Sequence, residues 1–205
     1  MHILETPRLI LRPPSHSDEL LLHGVHSDPF VVNAIGDGVY PTIEQSKAAL
    51  LQFINHWQHN RFGVWMVFVK DEGQARKFAG YCGLICSGPY LPEGPNNVGL
   101  VTCLHLAASG KGIAVEAGRA VVQFAFERLK LEKVTGFIRQ TNTRSLRKNI
   151  KIGFCYVGDR MLFEVTPDKA VKIDNLHVVD CAEPRSPKSV ALQPNRIARC
   201  MLTRR

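Results

Sequence analysis

The stretch Ser109-Gly110-Lys111-Gly112-Ile113-Ala114-Val115-Glu116-Ala117 carries the strongest chemical signal in the chain. Two glycines one residue apart let the backbone turn tightly, approach a ligand closely and aim successive N–H groups at one point. An apolar run, Val98 to Leu106, precedes the turn and an amphipathic pattern follows it, so the turn opens a helix. The helix N-terminus adds partial positive charge, and together these features suit an anion such as a pyrophosphate. His105 closes the apolar run, and an imidazole there is the best local candidate for moving a proton near neutral pH. A histidine at a strand end also serves packing or hydrogen bonding. Cys103 and Tyr156 are weaker candidates. His23, His26, His56 and His59 fall on expected helices without carboxylates at useful spacing, so no metal site is read from them.

The elements that must position these groups follow from periodicity and capping. Arg8 to Arg12 alternates as a strand that stops at Pro13-Pro14. Ser15 and Ser17 can cap a short helix through about His26. Residues Ser27 to Pro41, with Gly36, Gly38 and two prolines, read as a loop, where substrates are usually gripped. Thr42-Ile43-Glu44-Gln45 is a capping box that starts a second helix to about Gln58. Gly63–Lys70 and Lys77–Ile85 form a hairpin around Asp71-Glu72-Gly73, and Ser87 to Asn97 is a second loop. The helix after the glycine turn runs from about Gly112 to Leu131, with Val121, Val122, Ala125 and Leu129 on one side. Glu116 falls on another side and reads as a solvated or capping carboxylate. Lys133 to Gln140 is a further strand, Ser145 to Lys151 a short helix, and Phe154–Val157 and Lys172–Cys181 the closing strands.

Composition bounds the function classes. The 205 residues suit one domain, 1–181, plus a tail, 182–205, that lacks periodicity and reads as flexible. No apolar run reaches the length of a membrane span, and no basic-then-apolar leader opens the sequence, so the cytoplasm is the expected address. The six cysteines are scattered without a CxxC pair, and read as buried thiols rather than disulfides or metal ligands. The net charge of +8 is concentrated in the tail, where six Lys or Arg face one acid; the rest carries 20 bases against 17 acids. The body is therefore only mildly basic, which makes nucleic acid an unlikely partner.

Two further motifs accompany the glycine turn. Glu5-Thr6-Pro7-Arg8-Leu9-Ile10-Leu11-Arg12 stands at the front, and Asn142-Thr143-Arg144-Ser145 followed by Lys151-Ile152-Gly153-Phe154 stands downstream. In this order and spacing, from residue 5 to about 180, the chain resembles the GNAT acyl-CoA N-acyltransferases, and specifically the branch of the ribosomal-protein N-terminal acetyltransferases. The alternation of strands and helices gives an α+β domain around a mixed, mainly antiparallel sheet. The resemblance implies six to seven strands, about four helices and a splayed sheet centre that takes the pantetheine arm of acetyl-CoA, with no metal.

By the same resemblance, the N–H groups of Gly110, Lys111, Gly112, Ile113 and Ala114, next to Ser109, hold the pyrophosphate. Backbone groups of Cys103, Leu104 and His105 meet the pantetheine, as does Asn142, with Ser145 the small residue that follows it. Arg139, Arg144, Arg147 and Lys148 either meet nucleotide phosphates or form a solvated face. The chain departs from the family pattern at three positions. Ser109 replaces a Trp, Gln or Arg, Gly99 stands where many relatives carry a glutamate, and Asn149 stands where some carry an acidic tyrosine.

Transfer of an acetyl group from a thioester to an amine needs a neutral amine, a stabilised oxyanion and a proton for the leaving thiolate. The resemblance therefore implies an acetyl-CoA-dependent N-acetyltransferase acting on a primary amine, either a protein or peptide N-terminus or a small molecule. The alternatives are a CoA-binding protein without turnover, motivated by the departures at Gly99 and Asn149, and a ribosome- or nucleic-acid-associated module using the tail. Acceptor identity, acyl chain length and homodimer formation are left open by the sequence.

Overall fold

In a computed structural model, the described residues are 2–35, 38–70, 76–86, 97–165 and 170–182. Along the chain run β1 (Leu4–Glu5), β2 (Leu9–Arg12), α1 (Glu19–His26), α2 (Pro29–Ile35), α3 (Ile43–Asn60), β3 (Val64–Val69) and β4 (Lys77–Ile85). After them come β5 (Gly99–Leu104), α4 (Ile113–Glu127), β6 (Lys133–Arg139), α5 (Thr143–Ile152), β7 (Cys155–Val165) and β8 (Ala170–Ala182). The strands form one sheet in the order β1-β2-β3-β4-β5-β6-β8-β7, antiparallel throughout except for β5 against β6. The α+β class with a mixed, mainly antiparallel sheet is as expected.

The described residues hold eight strands and five α-helices, against an expectation of six to seven and about four. The additional strand is β1, two residues long and too short to show a period. The additional helix is α2, inside the segment expected to be a loop. Its start has a clear cause: the Asp28 carboxylate accepts from the Phe30 N–H at 2.9 Å, and Pro29 takes the first helical position, where a missing N–H does no harm. Val31 and Val32 then bury their side chains. β7 and β8 are also longer than expected, because polar residues along them hide the alternation. The expected turn at 71–73, most of the second loop (87–96) and nearly all of the tail (183–205) lie outside the described residues.

Alternation divides the sheet into two faces. Leu9, Leu11, Trp65, Val67 and Leu84 pack with Ala117, Val121 and Ala125 of α4, while Met66 packs with Leu22 of α1 and Leu50 of α3. The Thr42 capping box is present: the Gln45 N–H donates to Thr42 Oγ1 at 3.2 Å, and the Thr42 N–H donates to Gln45 Oε1 at 2.8 Å. Asp18 is 1% exposed and anchors the start of α1, accepting from Arg12 Nη1 at 2.7 Å, Arg12 Nη2 at 2.6 Å and the Ser15 N–H at 2.8 Å.

The sheet is splayed at its centre. β5 and β6 share one register pair, Gly99 with Thr135, and the Thr135 N–H donates to the Val98 carbonyl at 2.9 Å. Beyond that point β5 pairs only with β4 and β6 only with β8, so the gap opens toward Leu104 and Arg139. Gly99 therefore sits at the closed end of the wedge.

Candidate active site

A cavity of about 420 Å³ occupies the open end of the wedge. Thr102, Cys103 and Leu104 of β5 form one wall, the turn and first residues of α4 a second, α5 a third, and Phe30, Val31 and Ala34 of α2 the fourth. The glycine turn is built as its sequence implied. Gly110 (φ 77°) and Gly112 (φ 78°) adopt the left-handed conformation that side chains disfavour, and a Cβ on Gly110 would meet no atom within 4 Å. The N–H groups from Gly110 to Ala114 find no backbone acceptor among the described residues, since helical pairing starts with Val115 and Glu116 onto the Gly112 carbonyl. Free N–H groups at the N-terminus of a 15-residue helix are suited to an anion.

Glu116, expected to be a solvated or capping carboxylate, is instead tied to the front of the sheet. Its Oε1 accepts from the Thr6 hydroxyl at 2.6 Å and the Arg8 N–H at 3.0 Å, and its Oε2 from Arg8 Nε at 2.6 Å. Arg8 Nη1 also donates to the Lys111 carbonyl at 3.0 Å, inside the turn. Burial opposes ionisation of Glu116, but Thr6 and Arg8 outweigh it and hold the carboxyl below its usual range.

Opposite the turn, the Asn142 side-chain oxygen caps α5, accepting from the Ser145 N–H at 3.0 Å; its Nδ2 is the group left for a ligand. Arg144 reaches across the cavity mouth. Its guanidinium lies 4.7 Å from the Phe30 ring centroid, and its Nη2 donates to Ser109 Oγ at 3.0 Å. Arg147, Lys148 and Lys151 line the same side. Asn149 is buried, donates to the Ser145 carbonyl at 3.1 Å and leaves its Oδ1 without a partner.

Nine of the expected residues meet at this cavity: Cys103, Leu104, Ser109, Gly110, Gly112, Ile113, Ala114, Asn142 and Ser145. His105 and the Lys111 side chain do not line it. The His105 ring turns to Asp28, whose Oδ2 lies 3.3 Å from Nδ1, and stacks edge-on against Phe78. Asp28 Oδ2 also accepts from the Leu106 N–H at 2.9 Å, so one carboxylate ties α2 to the end of β5. Of the basic residues, Arg144, Arg147 and Lys148 line the cavity and Arg139 does not. Tyr156 lies exposed on β7.

The sequence reading missed the α2 wall, whose signal was Asp28-Pro29, and a buried polar chain with no local signal. In that chain, His26 Nε2 lies 3.3 Å from the Tyr81 hydroxyl, and Tyr81 is the register partner of Cys103. Burial pushes the Cys103 thiol up to about 12 and the Tyr81 hydroxyl well above its ordinary value, and it lowers His26. Cys103 is thus a neutral wall group rather than a nucleophile.

Residues 8–155 match the family described as the acetyltransferase (GNAT) domain. The chain is 28% identical over 153 residues to the uncharacterized N-acetyltransferase YnaD of Bacillus subtilis, covering 75% of this chain and 82% of that protein. Its fold is similar to that of a GNAT-family acetyltransferase from Bacillus anthracis, with a TM-score of 0.68 and 19% identity over 88% of this chain and 98% of the other. It is similar also to RimL, a ribosomal L7/L12 alpha-N-protein acetyltransferase solved with coenzyme A, at a TM-score of 0.68 and 13% identity, covering 88% and 98% of the two chains.

Proposed function

The chain belongs to the GNAT acetyltransferase family and is an acyltransferase, and from that premise we propose that it transfers the acetyl group of acetyl-CoA to a primary amine. The observation that carries this reading is the wedge between β5 and β6, with the free N–H groups of the glycine turn standing at its open end. A long, narrow cosubstrate with a diphosphate at one end and an amide-bearing arm fits such a space. The turn binds the diphosphate, the unpaired edges of β5 and β6 and Asn142 Nδ2 meet the arm's amides, and the apolar side chains of α2 exclude water. The thioester supplies an activated acyl group, so positioning of the amine against it accounts for much of the rate.

RimL acts on the N-terminus of a ribosomal protein, and this supports a protein or peptide N-terminus as one acceptor class, beside small-molecule amines. In this reading the catalytic unit is 1–181, the tail 182–205 is an appendage, and the enzyme works in the cytoplasm.

Titration calorimetry with acetyl-CoA tests the proposal. Wild type should bind at micromolar concentration, and Gly110→Asp should abolish binding, because the new carboxylate occupies open space and faces the diphosphate. Gly112→Asp is a poorer variant, since its Cβ would lie 3.4 Å from Arg8 Nη2 and its carboxylate could pair there. Absence of binding to wild type would overturn the proposal.

A further inference from the structure

Lys148 has no role in the reading above, and its surroundings are unusual for a lysine. It sits one helical turn beyond Arg144 on α5, so it lies about 6 Å further along the helix axis from the residue that bonds Ser109 at the cavity mouth. It lines the cavity together with Thr102 of β5. Thr102 is the register partner of Cys82 on β4, and Thr102 Oγ1 lies 3.4 Å from Cys82 Sγ. The Cys82 thiol is the titratable neighbour that acts on Lys148. Among the described residues Lys148 has no ion-pair or hydrogen-bond partner, while Arg8 and Arg144 are engaged. Burial lowers its pKa from the ordinary value, as for an amine drawn out of water without a counter-charge.

A cation placed this way is at the wrong end for the diphosphate. The phosphate-binding turn starts at Ser109, whereas Lys148 lines the cavity together with Thr102, the fourth residue of β5, and acts on the Cys82 thiol beside that threonine. A cosubstrate whose diphosphate lies at the turn and whose arm runs inward along β5 brings its sulphur toward Lys148. Asn149, the next residue, stands where some relatives have an acidic tyrosine, and its amide cannot donate a proton to a thiolate.

We propose that Lys148 is a catalytic residue whose ammonium group contacts the sulphur of the cosubstrate at the inner end of the cavity and protonates the departing thiolate. This rests on acetyl-CoA being the acyl donor. As the bond from the amine nitrogen to the acyl carbon forms and the carbon–sulphur bond breaks, an Nζ proton of Lys148 passes to sulphur, giving the free thiol and a neutral lysine. The acylated nitrogen then sheds its surplus proton, and Lys148 regains one, so charge and protons balance over the cycle.

The test needs no acceptor. Coenzyme A and desulfo-coenzyme A, which differ only in the thiol, are titrated into wild type, Lys148→Met and Lys148→Arg at pH 8. Wild type should prefer coenzyme A by roughly tenfold, the scale of a hydrogen bond with a charged partner. Lys148→Met should lose that preference while holding its affinity for desulfo-coenzyme A, which also shows that it is folded. Lys148→Arg should keep part of the preference, since its fork retains charge. Equal weakening of both ligands by Lys148→Met would place Lys148 at the phosphates and overturn the proposal, as would an unchanged preference. Failure of wild type to bind either ligand would overturn the acetyl-CoA reading itself.

Discussion

Arg8 and Glu116, 108 residues apart in sequence, are joined through both the backbone N–H and the guanidinium of Arg8. Because Arg8 also holds the Lys111 carbonyl, the strand that opens the sheet fixes the shape of the glycine turn. Half-exposed ion pairs add under about 1 kcal/mol to stability, so the consequence of this pair lies in preorganisation.

Glu116→Gln should therefore leave the melting temperature within a few degrees of wild type. It should raise the acetyl-CoA Kd by roughly fivefold, about 1 kcal/mol of lost preorganisation. Calorimetry decides the matter: an unchanged Kd would mean that the turn holds its shape without the tie.

Asp18 sets the acid limit of the fold. Burial opposes its ionisation, but Arg12 and Ser15 outweigh that and hold its pKa below the usual value. A carboxylate with a depressed folded value stabilises above its unfolded pKa, and the contribution fades as pH falls through the folded one. Asp18→Asn should destabilise by about 3 kcal/mol at pH 7, and its disadvantage should shrink below about pH 4. Urea unfolding at pH 7 and pH 3 measures both. A disadvantage that does not change with pH would rule out ionisation as the cause.

Gly80 lies at a β-bulge with φ 134°, and a Cβ there would overlap the Cys103 carbonyl oxygen. Gly80→Ala must push β4 away from the end of β5, where the cavity wall forms. We expect a loss of at least about 2 kcal/mol together with weaker acetyl-CoA binding. A variant with wild-type stability and affinity would show that the bulge relaxes freely.

Cysteine reactivity should follow exposure and pKa. Cys155 is exposed, whereas Cys82 and Cys103 are buried with raised pKa values. Brief iodoacetamide treatment at pH 8, read by peptide mass mapping, should label Cys155 and spare Cys82 and Cys103. Cys103→Ala should retain turnover. Rapid labelling of Cys103 would mean that the cavity wall opens readily.

His105 is directed at Asp28 rather than into the cavity. His105→Ala should hold kcat within about tenfold of wild type, since removing a general base costs about a hundredfold or more. A hundredfold loss with unchanged acetyl-CoA affinity would restore the histidine to the chemistry.

The sequence alone determined the elements whose signals are local. The Thr42 box with its apolar period marked α3, and the paired glycines marked the turn and α4, because caps and periods act over three or four residues. The family resemblance added the splayed wedge and nine of the residues that meet there. The tertiary structure alone decided what those residues face. Glu116 meets Arg8, His105 turns to Asp28, α2 walls the cavity with Phe30, and Lys148 lines it without a hydrogen-bond or ion-pair partner among the described residues. Each of these is a relation between segments distant in the chain, and a side chain's partner is set by packing, to which a linear period carries no reference.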